Sequence, residues 1–359
     1  SAASDVYKRQ VCGETGKPWY FLEEMYPAFG NLVPRDVASR EILRVIELGL
    51  GVEGNAVHLD VTHLPDATLH KLESVLDIYE KFTGQNPRKV PMKIFPAMHY
   101  SMGGAWIDWP ASDDPDRMTR YRQMTNLSGC FNIGESEFQY HGANRLGANS
   151  LLSCIFGGLV SGVEVPRYID ELNETYDEIS ESVFIRELEK ERNFQEQLLN
   201  SDGTENIFDI HEDLSKIMIN YVSVKRNDKD LKKALSAIEE LKNRYGQISL
   251  SDRGSLLNQP YVFANQLHSM LELSSVIAQC ALLRKESRGA HFKPEYPERD
   301  DENWLKTTIA TYNPKTKTAN ISYVPIDTRH IKPVQREYVQ AKKTIPTVHN
   351  LPKNLSLPV

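Results

Sequence analysis

The sequence predicts a multi-domain protein of mixed α+β and α class, and three observations support that prediction. Candidate helices alternate with a short candidate strand in the first part of the chain. The middle stretch, Pro91–Gly162, is rich in glycine and aromatic residues. Beyond Pro166 the chain is charged and carries apolar residues at helical spacing. A chain of 359 residues is long enough for two or three such domains.

The composition is that of an ordinary globular protein, with 40% hydrophobic and 25% charged residues. A net charge of −7 argues against a nucleic-acid partner, which requires a concentrated cationic surface. The longest strongly apolar stretches, Leu151–Val163 and Ser275–Leu283, are shorter than the roughly 18 residues of a membrane span, so none is expected. The four cysteines lie far apart without metal-ligand spacing, which predicts reduced thiols and no metal site.

The first elements can be taken in order. Ser1–Gln10 offers neither an apolar signal region nor a convincing strand or helix, and is interpreted as a non-native scar. Asp36 is the predicted N-cap of a helix that runs to about Leu48 and ends at Gly49. A strand is predicted over Ala56–Val61.

Helical periodicity identifies the next elements. Asp66–Phe82 is predicted as a helix that Gly84 ends, and an apolar helix is predicted to begin near Asn149. The apolar face of the first is formed by Leu69, Leu72, Leu76 and Tyr79. Two further helices are marked by Leu231, Leu235, Ile238 and Leu241 and by the stretch Val262–Leu283. A hairpin around Asn313–Lys317 and a proline-rich extended tail are predicted to follow.

Gly49, Gly51 and Gly54 spell the GxGxxG dinucleotide fingerprint, but their context is wrong for it. The fingerprint requires a preceding strand and a following helix, so that the pyrophosphate meets a helix N-terminus. Here a predicted helix precedes and a predicted strand follows. The three glycines are therefore interpreted as a helix-terminating turn.

Three other clusters indicate a binding site. They are Val33–Arg40 (VPRDVASR), His99–Gly104 (HYSMGG) and His141–Leu152 (HGANRLGANSLL). Taken singly, each has a structural explanation. Arg35 could be a solvated residue before a helix, His99 a hydrogen-bonded histidine in a glycine turn, and Arg145 a partner for one of the many carboxylates.

Taken together, the clusters favour a site for a small dicarboxylate. Guanidinium and imidazole groups can replace the hydration of a carboxylate with charge-assisted hydrogen bonds. A helix that opens at Asn149, just after Arg145, would present its N-terminus to negative charge, such as that of a reduced flavin ring. The residues alone indicate an anion site built on glycine-rich loops.

The order of these clusters closely resembles the succinate dehydrogenase and fumarate reductase flavoprotein family. HYSMGG, the Gly134-Glu135 pair and HGANRLGANSLL carry the resemblance, with PRDVASR upstream. It extends to Lys17–Leu22, Arg88–Phe95, Glu286–His291 (ESRGAH) and Arg299–Trp304 (RDDENW), covering about Gly13 to Thr308. The chain is most similar to the branch found in bacilli and epsilonproteobacteria.

The resemblance implies a role for six residues. Arg35 matches the arginine that shuttles the substrate proton, and His99 and Arg145 match ligands of the dicarboxylate. Glu135 matches the contact to the FAD ribose, and Ser150 and Leu151 match backbone contacts to the flavin.

The resemblance also implies a reaction and an assembly. Succinate would be oxidised to fumarate with FAD as the cofactor, and electrons would pass to an iron-sulfur subunit. A cytochrome b anchor and a quinone would follow, with the protein peripheral on the cytoplasmic face of the cell membrane. The implied domains are a partial capping domain at 11–95, the C-terminal part of a Rossmann-like FAD-binding domain at 96–165, and a helical C-terminal domain at 166–310. Residues 311–359 would form the hairpin and tail, after a scar at 1–10.

Two departures from the family qualify this reading. Arginine has a pKa above about 12, so proton loss from it must be assisted, and the family's assisting groups precede the segment that begins at Gly13. One alternative is aspartate oxidase, which shares the fold and much of the site. The other, motivated by the missing half of the FAD site, is an inert fragment that retains only a partner-binding surface. Trp109–Gln123 is longer than the family's loop and is interpreted as a solvated surface excursion, with a partner contact as the alternative.

Overall fold

The computed structural model describes residues 7–11, 18–53, 55–147, 149–173, 176–254, 256–313, 315–316, 318–329 and 331–334. The chain divides into two compact units, which are described separately. The first comprises Ser1–Met98 with Thr328–Val359, and the second comprises His99–Asp327. The predicted domain boundary between 95 and 96 lies close to this division. The other predicted domain limits stay predictions.

The first unit contains a four-stranded antiparallel sheet in the order β2-β1-β3-β4. The strands are β1 (Tyr7–Val11), β2 (Pro18–Trp19), β3 (Val57–Asp60) and β4 (Met92–Ile94). The prediction that Ser1–Gln10 contains no strand is wrong, because Tyr7 pairs with Asp60 and Arg9 with His58. This pairing joins distant segments, so the local pattern of residues 7–11 did not reveal it. Residues 1–6 lie outside the described part.

Four helices pack beside this sheet: α1 (Phe21–Met25), α2 (Arg35–Val45), α3 (Asp66–Lys71) and α4 (Glu73–Thr83). The predicted N-cap at Asp36 is wrong, because α2 follows Pro34 directly and already includes Arg35. Asp36 lies in the first turn and pairs with Arg40 at 3.3 Å. Proline is favourable at a helix start, since it lacks an N–H group that would have no partner there.

The end of α2 confirms the interpretation of the glycine turn. After Val45 the chain makes one π-helical turn, in which Gly49 takes a left-handed φ of 72°. The helix thus precedes the glycines and β3 follows them, opposite to the order of a dinucleotide fingerprint. Gly54 lies outside the described residues.

The predicted helix Asp66–Phe82 is divided at Leu72 into α3 and α4, and Gly84 ends α4 with a φ of 70°. The predicted apolar face is confirmed. Leu69 and Leu76 are buried in a cluster with neighbours from the sheet, against which Leu72 and Tyr79 pack.

The second unit begins with an irregular, glycine-rich region, followed by α5 (Asn149–Asp170). The strand candidates of this region form only isolated bridges, including a parallel one between Ala105 and Glu137. The predicted start of the apolar helix at Asn149 is confirmed, whereas the predicted boundary between 165 and 166 lies inside α5.

By length and composition α5 could cross a membrane, contrary to the estimate from its longest apolar stretch. Its Leu151, Leu159 and Val163 side chains are exposed among the described residues. Glu164, however, is buried and held by Arg117 and Arg167, which is the environment of a helix packed against protein.

The loop Trp109–Gln123 is exposed along its middle, as expected, but it is not a free excursion. Arg120 binds Asp114 within the loop and Asp108 just before it, and Arg117 binds Glu164 on α5. Tyr121 is buried and donates to Glu171 at 2.5 Å. These contacts fasten the loop to α5.

The remainder of the second unit is a helical bundle followed by a hairpin. Its helices are α6 (Glu181–Leu199), α7 (Ile207–Ile217), α8 (Asp228–Tyr245), α9 (Gln259–Leu283) and α10 (Asp301–Trp304). The predicted face of α8 is confirmed, since Leu231, Ile238 and Leu241 are buried and Leu235 packs against their cluster. The predicted hairpin is formed by β5 (Lys306–Asn313) and β6 (Thr318–Pro325), and the tail from 335 onward lies outside the described residues.

Candidate functional site

The six predicted site residues fall into both units. Arg35 is in the first unit, and His99, Glu135, Arg145, Ser150 and Leu151 are in the second. The side chain of Arg35 is exposed in the first turn of α2, and it makes no ion pair or hydrogen bond with a described residue. A cation at this end of a helix meets the positive pole of the helix dipole, so the fold gains nothing from its charge.

In the second unit three glycine-rich segments lie against one another: His99–Gly104, the turn Gly134–Ser136 and the loop that carries Arg145. The backbone N–H of Ala105 donates to the Ser136 carbonyl at 2.8 Å. A Cβ atom on Gly104 would lie 2.5 Å from the same oxygen, and one on Gly134 would lie 2.6 Å from Cys154 Sγ on α5. The contacts therefore require glycine at both positions, and they bring Glu135 close to the beginning of α5.

Glu135 is exposed in a short 3-10 turn, Gly134–Ser136. One of its carboxylate oxygens accepts a hydrogen bond from the Ser101 N–H at 2.8 Å. The turn is thus fixed to the segment that carries His99, and the second carboxylate oxygen remains available to a hydroxyl group. His99 itself is exposed, with no hydrogen bond to the part of the chain that the structure describes.

Arg145 is the most unusual member of the group, because it is buried and only 8% exposed. Its guanidinium lies 4.9 Å from the centre of the Tyr100 ring and donates to the Leu146 carbonyl at 3.3 Å. No carboxylate among the described residues pairs with it. The structural ion pair considered for Arg145 is therefore not formed here, and a buried cation of this kind attracts an anion.

Tyr100, His141 and Ser153 form a network beneath this guanidinium, and none of them was assigned a role from the sequence. The Tyr100 hydroxyl lies 3.1 Å from His141 Nε2 and 3.3 Å from Ser153 Oγ. Burial and the nearby Arg145 charge lower the pKa of His141, so its imidazole is neutral near pH 7. An aromatic residue directly after His99 was the available sequence signal, since such rings often support guanidinium groups.

Ser150 and Leu151 lie in the first turn of α5, where backbone N–H groups have no partner within the helix. The Ser150 carbonyl accepts a hydrogen bond from Ser153 Oγ at 2.7 Å, which links this turn to the Tyr100 network. The side chain of Leu151 is 74% exposed. The helix start therefore offers free N–H donors beside an apolar surface.

A second acidic residue, Glu137, was also not assigned from the sequence. Its side chain is buried, and burial raises its pKa while a hydrogen bond from the Gln139 N–H lowers it by less. It lies on the backbone bridge with Ala105. Its contacts indicate a structural role in holding the glycine-rich segments together.

Comparisons with known proteins match these features. A model of the FAD binding domain matches residues 12–151, and a model of the fumarate reductase flavoprotein C-terminus matches residues 211–338. The succinate dehydrogenase flavoprotein subunit of Bacillus subtilis is 45% identical over 91% of this chain and 54% of the relative. The chain belongs to the succinate dehydrogenase and fumarate reductase flavoprotein family.

Two further members of this family illustrate the extent of the match. The fumarate reductase flavoprotein subunit of Haemophilus influenzae is 31% identical over 86% of this chain and 50% of the relative. A solved structure of quinol fumarate reductase FrdA from E. coli has a TM-score of 0.79, with 26% identity over 92% of this chain and 56% of that chain. The chain thus spans about half the length of its curated relatives.

These matches confirm the family, the fold class and the FAD prediction. The second unit also fits FAD on its own geometry. The start of α5 supplies free N–H donors beside exposed Leu151, and Glu135 supplies an exposed carboxylate on a turn that only glycine can form. The individual residue roles stay predictions.

Proposed function

We propose that this chain forms part of the flavoprotein subunit of a succinate:quinone oxidoreductase, which oxidises succinate to fumarate. The buried guanidinium of Arg145, which has no carboxylate partner among the described residues, is the observation that supports the proposal best. A dicarboxylate would supply the missing charge and form bidentate hydrogen bonds. Because the relatives are succinate dehydrogenase and fumarate reductase subunits, succinate and fumarate are the dicarboxylates that we propose for this site.

Each predicted residue then has a defined task. Arg145 and His99 bind the substrate carboxylates, while the Tyr100 ring contacts the Arg145 guanidinium through a cation–π interaction. Arg35, which makes no ion pair with a described residue, takes up the proton from the substrate carbon once an assisting group has removed a proton from its guanidinium. FAD, when bound, supplies the acceptor for the hydride. Glu135 would hold its ribose, and the N–H groups of Ser150 and Leu151 would hold the flavin.

The proposal extends to partners and location. Electrons would pass to an iron-sulfur subunit and then, through a cytochrome b anchor, to a quinone. The protein would be peripheral, on the cytoplasmic face of the cell membrane. Similarity to a solved quinol-fumarate reductase with menaquinol molecules supports the link to a quinone.

The test is succinate-dependent reduction of a dye by the full-length complex, compared with an Arg35→Ala variant. Loss of a general acid or base lowers kcat by about 10²–10⁴-fold. Arg44→Ala is the matched control, because Arg44 is an exposed arginine in the last turn of the same helix. An unchanged rate in Arg35→Ala would defeat the proton role.

Two further measurements distinguish the alternative functions, one on the full-length complex and one on the purified chain. Rapid turnover of aspartate with none of succinate would identify an aspartate oxidase instead. The inert alternative concerns this chain alone. It would be excluded if the purified chain retained stoichiometric flavin, measured as absorbance near 450 nm, roughly where FAD absorbs.

A further inference from the structure

The ESRGAH motif of the helical region contacts the loop that carries Arg145. We call its turn, Ser287–His291, the brace turn. The Ala290 N–H donates to the Ala143 carbonyl at 2.9 Å. Gly289 has a left-handed φ of 58°, and a Cβ atom there would lie 2.7 Å from the Ala143 carbonyl carbon and collide with its oxygen. Only glycine allows the two backbones to meet this closely.

Ion pairs hold the brace turn rigidly in place. Arg288 donates to both oxygens of Glu286 at 2.9 Å and to Asp301 at 2.6 Å. Glu286 is 1% exposed and also accepts from the Asp300 N–H at 3.0 Å. A buried carboxylate with this many donors has one favourable arrangement, so the backbone of the turn has little freedom.

The brace turn is also fixed to the end of α9. Lys293 is fully buried, and its ammonium donates to the carbonyls of Ala281, Leu282 and Arg284 at 3.1–3.3 Å. Its backbone N–H donates to Ser287 Oγ at 2.9 Å. The lysine thus satisfies carbonyl groups at the helix C-terminus that have no partner within the helix. The bundle core and the brace turn therefore form one continuous support.

The loop that the brace turn contacts is also joined to Tyr100, through the side chains of His141 and Arg145. Between His141 and Gly147 it contains no helix or strand, and the Arg145 N–H donates only to the Met102 sulfur, at 3.1 Å. Ala143 precedes Arg145 by two residues, so a shift of its carbonyl group moves the guanidinium. A displacement of about 1 Å at a substrate-orienting group can lower kcat/KM about 100-fold.

We propose that Gly289 is a positioning residue, which through Ala143 fixes the Arg145 guanidinium for its dicarboxylate. The inference rests on the proposed function and assigns a task to a motif outside the site. Since Arg145 binds a carboxylate before and during the reaction, its displacement weakens substrate and transition state alike. The expected effect is therefore a higher KM with a nearly constant kcat.

The experiment compares Gly289→Ala with Gly203→Ala in the full-length complex. A Cβ on Gly203 also collides with a backbone carbonyl, that of Gln247, and none of its three nearest atoms belongs to the loop that carries Arg145. Both variants are expected to melt at lower temperature. Only Gly289→Ala is expected to raise the KM for succinate, by about tenfold or more, and to weaken competitive inhibition by malonate equally. Flavin content is measured in each preparation.

Arg288→Lys provides a milder variant if Gly289→Ala does not fold. Lysine keeps the charge but cannot form the bidentate hydrogen bonds that Arg288 donates to Glu286, so a severalfold rise in KM is expected. An unchanged KM in the folded, flavin-loaded variants, or an equal rise in Gly203→Ala, overturns the positioning role. Absence of succinate turnover in the unmodified complex would instead refute the proposed function.

Discussion

Replacing Tyr100 tests the support beneath Arg145 directly. In Tyr100→Leu the guanidinium loses the ring that lies 4.9 Å from it. Cation–π contacts contribute about 0.5–1 kcal/mol at exposed sites and about 2 kcal/mol when desolvated. Because Arg145 is only 8% exposed, the upper value applies, and about 2 kcal/mol corresponds to about a 30-fold change in an equilibrium. The KM for succinate should rise by about that factor.

Tyr100→Phe is the matched control, since it keeps the ring and removes only the hydroxyl. That hydroxyl contacts His141 and Ser153 and does not touch Arg145. A neutral hydrogen bond adds about 0.5–1.5 kcal/mol and would act on Arg145 indirectly, so the expected rise in KM is about threefold.

The assay is steady-state succinate oxidation by the full-length complex, at equal flavin content. Equal effects of the two substitutions would show that the hydroxyl network, and not the ring, positions the guanidinium. An unchanged KM in Tyr100→Leu would remove Tyr100 from the site altogether.

Two other predictions concern α5. Although burial raises the pKa of Glu164, hydrogen bonds from Arg167 and Arg117 outweigh it, and the pKa is lower than the usual 4.5. Glu164→Gln takes the carboxylate from Arg117 and leaves Arg167 only its 3.4 Å pair with Glu171, so it should destabilise the full-length protein by about 3 kcal/mol. The ionised carboxylate stabilises the fold above about pH 4.5 and loses this effect as the pH falls through its lowered pKa, so the difference in melting temperature should shrink there. Gly134→Ala, strained at φ 70° and blocked by Cys154 of α5, should lower the amount of retained flavin, measured by absorbance. Gly158→Ala, whose added Cβ meets open space on α5, should not.

Local patterns predicted the regular elements well, because their signals lie within a few residues. The spacing of Leu231, Leu235, Ile238 and Leu241 placed the buried face of α8 correctly. Gly49 and Gly84 marked helix ends correctly, since left-handed backbone favours glycine. The start of α2 was misplaced by two residues because Pro34 competes with Asp36 as a start signal.

Features that depend on distant partners could not be read in this way. The strand at Tyr7–Val11 exists through its pairing with β3. The tie between Arg117 and Glu164 joins residues far apart in sequence, so the loop Trp109–Gln123 looked merely solvated. Within the site, motif resemblance located Arg145, but only the structure shows that its guanidinium is buried against the Tyr100 ring. The brace turn was recognised only as a family motif for the same reason.

The position of Arg35 has a consequence for protein engineering. A positive charge in the first turn of a helix is unfavourable by about 0.3–1 kcal/mol, and no described residue compensates it with an ion pair. A library selected for thermal stability alone would therefore tend to replace this arginine with a neutral or acidic residue. If Arg35 carries the substrate proton, such a selection would enrich robust and inactive proteins, and turnover must be selected together with stability.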